Sequence, residues 1–121
     1  MGAASSYRVS LHMPDGLVRE LLVPADQHIW DAAHAAGIEL PSICHQGRCL
    51  TCAGRLLKPG EFDSSDAVAY FPEDREESFI LLCTAFPRSD LEVQTHQQFA
   101  MRQHRRKLNL PAPYSGVSDA G

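Results

Sequence analysis

Four cysteines constrain this chain more than any other feature. Cys44, Cys49 and Cys52 lie within nine residues in a C-x4-C-x2-C pattern, and Cys83 follows after an interval of 30 residues. Residues 41–53 break every hydrophobic periodicity and contain Gly47, which suits a loop organised by something other than a core. Cys83 comes directly after the apolar run Phe79 to Leu82. Two disulfides would use the even count. However, the first residues carry no apolar signal core, and 121 residues at 44% apolar content can bury a core without staples. Structural zinc wants four tetrahedral thiolates, commonly from two CxxC knuckles, and only Cys49 to Cys52 forms one. A redox dithiol at that CxxC would leave Cys44 and Cys83 idle.

The fourth reading is an iron–sulfur centre. C-x4-C-x2-C followed by a distant cysteine is the ligand spacing of plant-type [2Fe–2S] sites. Cys44, Cys49, Cys52 and Cys83 are therefore expected to bind one [2Fe–2S] cluster per chain. Four thiolates on the oxidised core leave a formal charge of about −2, and reduction adds one electron. Holding that charge requires backbone N–H groups aimed at sulfur, so an irregular loop that admits glycine is what the chemistry needs.

Around the cysteines the chain reads as short strands joined by turns. Tyr7 to Met13 and Leu17 to Val23 alternate about a Pro14-Asp15-Gly16 turn and predict a hairpin. Asp26 is placed to cap a helix running to Ala36, with Ile29, Ala33 and Ala36 at helical spacing and Gly37 as its stop. Trp30 on that helix reads as a packing residue. Ala53 to Leu57, Phe79 to Leu82 and Leu91 to Thr95 predict three further strands. Residues 61–78 read as an acidic, irregular stretch with room for a helical turn near Asp66 to Tyr70. Residues 97–108 have helical potential but a poor apolar stripe.

Charge is unevenly distributed. Residues 1–96 carry 7 Lys+Arg and 14 Asp+Glu, while residues 97–121 carry 4 and 1, so an acidic body precedes a basic tail. The acidic balance argues against nucleic acid as a partner. No apolar run reaches the length of a membrane-crossing helix. Glu73, Asp74, Glu76 and Glu77 divide between a solvated loop and a docking patch. Arg102, Arg105, Arg106 and Lys107 suggest a contact with a partner or a membrane surface, with docking onto the acidic body as a further option.

From Tyr7 to Gln97 the chain resembles the plant-type [2Fe–2S] ferredoxins of chloroplasts and cyanobacteria. The resemblance is carried by Asp31-Ala32-Ala33, Gly37 and Leu40-Pro41 before the cysteines. It continues through Gly47 and Thr51-Cys52-Ala53-Gly54 in the loop, then Asp63 and Ser65-Asp66. Leu81, Cys83, Ala85-Phe86-Pro87, Ser89-Asp90 and Gln94-Thr95-His96 complete it. It implies an α+β, β-grasp (ubiquitin-like) ferredoxin fold, a mixed sheet with one main helix packed on it. Residues 1–96 would form the [2Fe–2S] domain, and residues 97–121 a basic extension, partly helical or disordered. The implied function is one-electron transfer between redox enzymes by a monomer with no catalysis of its own. Redox- or oxygen-sensing is the alternative. The implied partners are ferredoxin reductase, photosystem I or ferredoxin-dependent enzymes, and the implied setting is a photosynthetic organism. The short N-terminus favours a cyanobacterial-type cytoplasm over a plastid stroma.

The departures from that family lie around the centre and on the partner surface. His45, Gln46, Arg48 and Leu50 replace the usual loop residues, and Ile43 and Leu82 replace hydroxyl residues before the first and fourth cysteines. His45 and Arg48 favour added negative charge. The apolar replacements disfavour it, and the expected potential is at or below the family's value of about −400 mV. An exposed aromatic used by family reductases falls at Ala69, beside Tyr70. Gln97-Gln98-Phe99 stands where acidic residues recruit the NADP reductase. The carrier core is kept while the partner surface is rewritten.

Overall fold

The computed structural model describes residues 5–41, 50–67 and 69–110. Strands β1 (Ser6–His12) and β2 (Val18–Pro24) form the expected antiparallel hairpin, with Val9 opposite Leu21. The chain reverses through Gly16 at φ 89°, a left-handed conformation in which a side chain would be strained. The Met13 N–H donates to the Leu17 carbonyl across the turn at 2.8 Å. Helix α1 (Ile29–Ala35) follows and stops at Gly37, φ 81°. Strands β3 (Ala53–Leu56), β5 (Phe79–Leu81) and β7 (Leu91–Gln94) complete a five-stranded sheet of order β2-β1-β7-β3-β5. β1 and β7 run parallel and the other pairs antiparallel, so the sheet is mixed, as a β-grasp fold requires. A second ladder joins β4 (Phe62–Asp63) to β6 (Phe86–Pro87). Helices α2 (Pro72–Glu76) and α3 (Gln98–Lys107) pack against each other.

The apolar alternation read in the sequence supplies one core. Val9, Leu11, Val23, Ile29, Ala33, Ile80 and Val93 are fully shielded from solvent. Burying each larger aliphatic side chain contributes roughly 1.5–3 kcal/mol before entropy is counted. Met101 of α3 joins the same cluster, so the C-terminal helix is fastened to the body.

Two expectations are corrected. Helix α1 begins at Ile29 with His28 at its cap position, two residues later than Asp26 would place it, and no side chain caps it. The first turn instead donates to backbone: Ile29 N–H to the Ala85 carbonyl at 3.0 Å and Trp30 N–H to the Leu82 carbonyl at 2.9 Å. Those acceptors satisfy the helix's orphan N–H groups, so a side-chain cap is superfluous. The helical turn in the acidic stretch lies at Pro72–Glu76 rather than at Asp66 to Tyr70.

Gly54 sits where β3 passes closest to its neighbours. A Cβ there would lie 2.6 Å from Val93 Cγ1 and 3.2 Å from the Gln94 carbonyl oxygen. Val93 is fully buried and stiff at χ1, so it has little room to yield. Gly54→Ala is expected to destabilise the protein by about 1–3 kcal/mol, seen as an earlier midpoint in chemical denaturation. An unchanged midpoint would show that β3 and β7 can separate without cost.

Candidate metal centre

The β3–β5 register builds half of the centre. Ala53 pairs with Leu81, and the Leu82 N–H donates to the Cys52 carbonyl at 3.1 Å. Cys52 precedes one strand and Cys83 follows the other, so antiparallel pairing sets the two thiols side by side. Their Sγ atoms are 2.8 Å apart, well beyond the S–S bond length of about 2.04 Å, and both residues are buried. Cys44 and Cys49 lie outside the described residues, as do Ile43, His45, Gln46 and Arg48.

The turn carrying Cys83 is held from several sides. The first turn of α1 grips the Leu82 and Ala85 carbonyls, and the Leu81 carbonyl accepts the Thr84 and Ala85 N–H groups. Just downstream, the Arg88 guanidinium donates to the Ala25 carbonyl at 2.6 Å and to Asp63 Oδ2 at 3.2 Å. Hydrogen bonds from Ser65 hold the Asp63 carboxyl below the usual carboxylate range, with Arg88 adding to the effect. Upstream, the Trp30 indole donates to the Leu40 carbonyl at 2.9 Å and stacks on His34, which anchors the lead-in to the cysteine loop.

The surroundings fit a sulfur-rich group. Leu50 and Leu82, close in the chain to Cys52 and Cys83, are almost wholly buried. Thr51, next to Cys52, is buried, and its Oγ1 has no hydrogen-bond partner among the described residues. A buried hydroxyl without an acceptor costs about 1–3 kcal/mol. A cluster or thiolate sulfur would supply that acceptor.

The partner-surface residues settle differently from their sequence expectations. Tyr70 does not present an exposed aromatic. Its hydroxyl donates to the Phe79 carbonyl, its ring meets Phe62 edge-on, and burial pushes its phenol well above the ordinary range. Asp74 is not part of an acidic face: it is fully buried, while Glu73, Glu76 and Glu77 are exposed. Arg102 and Arg105 turn inward rather than toward a partner or membrane, Arg105 following the option of docking onto the acidic body, and Arg106 and Lys107 stay outside. Arg105 bonds Asp74 through Nη2 at 2.7 Å and Nε at 3.2 Å, and the Ala69 carbonyl at 2.8 Å. Sequence reasoning places no helix at Pro72, although proline followed by Glu73 and Asp74 is a helix-start signature.

Residues 13–88 match the 2Fe-2S iron-sulfur cluster binding domain family. The chain is 40% identical over 94 residues to Ferredoxin-2 of Synechococcus, covering 78% of this chain and 88% of that one. It is 38% identical over 96 residues to the chloroplastic Ferredoxin-6 of Zea mays, covering 79% of this chain and 61% of the relative. Among solved structures, pectocin M2 superposes with a TM-score of 0.68 at 27% identity, over 86% of this chain and 40% of that one. The ferredoxin reductase in carbazole 1,9a-dioxygenase gives 0.64 at 28% identity, over 78% and 29%. The chain thus spans less than half of either solved structure.

Proposed function

Because the chain belongs to the 2Fe-2S iron-sulfur cluster binding domain family, we propose that Cys44, Cys49, Cys52 and Cys83 together hold its single [2Fe–2S] cluster. The protein is a one-electron carrier of the ferredoxin type. When bound, such a cluster supplies reversible one-electron storage. The observation that carries the site assignment is the β3–β5 register, which brings two buried cysteines 31 positions apart to a 2.8 Å contact.

The chain's own residues divide the remaining work. Leu50 and Leu82 exclude water from the Cys52–Cys83 side. The Thr51 hydroxyl is placed to donate to sulfur, which stabilises added negative charge. Helix α1, through the Leu82 and Ala85 carbonyls, anchors the Cys83 turn. No helix among the described residues is long and apolar enough to cross a membrane.

The partners are redox proteins such as reductases. Ferredoxin reductase, photosystem I and ferredoxin-dependent enzymes are the specific candidates. A cyanobacterial-type cytoplasm or a plastid stroma is the matching compartment. Electrons pass through the protein, and it transforms no substrate of its own.

EPR of anaerobically purified protein tests this reading. The oxidised form should be silent, and dithionite should produce a rhombic S = 1/2 signal. Iron-loaded protein that stays silent under dithionite but responds to a stronger reductant would place the potential at the low end of the family. Zinc in place of iron would overturn the carrier.

A further inference from the structure

Helix α3 starts beside the metal centre and turns a cationic ridge to solvent. The Gln97 N–H donates to the carbonyl of Ala53, the residue after Cys52, at 2.9 Å. The inner face of the helix is fixed by Met101, Arg102 and Arg105, all buried. At 3.6 residues per turn, the opposite side carries Phe99, Gln103, Arg106 and Lys107, and all four are exposed. Phe99 is 63% exposed, an unusual position for a large aromatic on a pinned helix. Neither Arg106 nor Lys107 has an ion-pair partner among the described residues. Lys107 also lines a groove of about 630 Å³ whose other wall carries Glu73 and Glu76 of α2 and Glu77 just after it.

We propose that the ridge of Phe99, Arg106 and Lys107 is the docking surface for an electron-transfer protein whose contact face is acidic and carries an apolar spot for Phe99. The proposal deepens the carrier reading and rests on it. Residues 1–96 carry a net charge of −7 and repel such a partner over most of the surface. The ridge attracts it, and the neighbouring glutamates reject a misplaced pose, so attraction and repulsion together set orientation. The exposed cations govern encounter, and the aromatic supplies the apolar contact that holds the pair. This polarity is opposite to that of an acidic docking patch at Glu73 to Glu77.

Cytochrome b5, an acidic haem protein, is the probe. Its Kd for the oxidised holoprotein is measured by titration at low ionic strength. In parallel, the dithionite-reduced protein passes one electron to the ferric haem, yielding ferrous haem, and the rate is followed by stopped flow. The double variant Arg106→Glu, Lys107→Glu is expected to weaken binding by about tenfold and slow transfer similarly, with the difference fading near 0.5 M salt. Arg8→Glu, Arg19→Glu makes the same charge change on the β1–β2 hairpin and should alter Kd by about twofold or less. Phe99→Ala should weaken binding at high salt as well. Equal weakening by the two double variants, or no detectable complex with the unaltered protein, would overturn the proposal. Iron content and visible absorbance are checked in every sample. Absence of the cluster from the unaltered protein would sink the carrier reading, and the Kd comparison would still judge the ridge.

Discussion

Arg105→Met should cost about 3–5 kcal/mol of stability, because it strands a buried carboxylate without its cation. Asp74 and Arg105 are both fully shielded from solvent, with two nitrogen–oxygen contacts at 2.7 and 3.2 Å. The same Arg105 guanidinium stacks over the Phe71 ring and donates to the Ala69 carbonyl. Asp74 also accepts the Phe71 N–H at 2.9 Å and lies 3.1 Å from His104 Nε2. One ion pair therefore closes residues 69–74, the start of α2 and the C-terminal helix onto each other. The thermal midpoint, followed by far-UV circular dichroism, should fall by about 10–20 °C. Arg106→Met, one position along and exposed, should change stability by about 0.5 kcal/mol or less. The double variant Asp74→Leu, Arg105→Met should recover part of the loss, since it removes both charges but also the N–H cap on Phe71. If Arg105→Met and Arg106→Met are equally mild, α3 is not latched through this pair.

Replacing any one of Cys44, Cys49, Cys52 or Cys83 with alanine should abolish stable cluster binding. Three thiolates leave one iron short of a ligand. Bound iron should fall from about two per chain to near zero. The visible absorbance and the reduced EPR signal should vanish with it. Cys83→Ala is the cleanest of the four. Backbone bonds at Leu81, Leu82 and Ala85 hold the Cys83 turn, so the fold around it should outlast the thiol. Far-UV circular dichroism of that variant should remain close to that of apoprotein prepared from the unaltered chain. A cysteine whose replacement leaves iron at about two per chain would be excluded as a ligand.

Much of this molecule was legible in one dimension because its strongest constraints are local. The alternation of Val9 and Leu11, the turn at Gly16 and the stop at Gly37 each follow from two or three neighbouring residues, and each is found as expected. Trp30 packs as its position on the helix suggests. The start of α1 was misplaced because its N–H groups are satisfied by carbonyls more than 50 residues away, which no cap rule can see. The short β4–β6 ladder escaped notice because two-residue strands carry no periodicity.

The cysteine spacing and the charge asymmetry belong to the sequence alone. They give an acidic body and a basic end and lead to the proposed four-thiolate ligand set, because residue order and composition do not depend on packing. The role of that basic end was decided only by the tertiary structure. An arginine at a helical position reads as surface, since burying an unpaired charge is prohibitive. Asp74, 31 residues earlier in the chain, removes that penalty for Arg105 and draws the helix inward. Only once α3 is seated does its outer face acquire a definite membership, leaving Phe99, Arg106 and Lys107 to meet a partner.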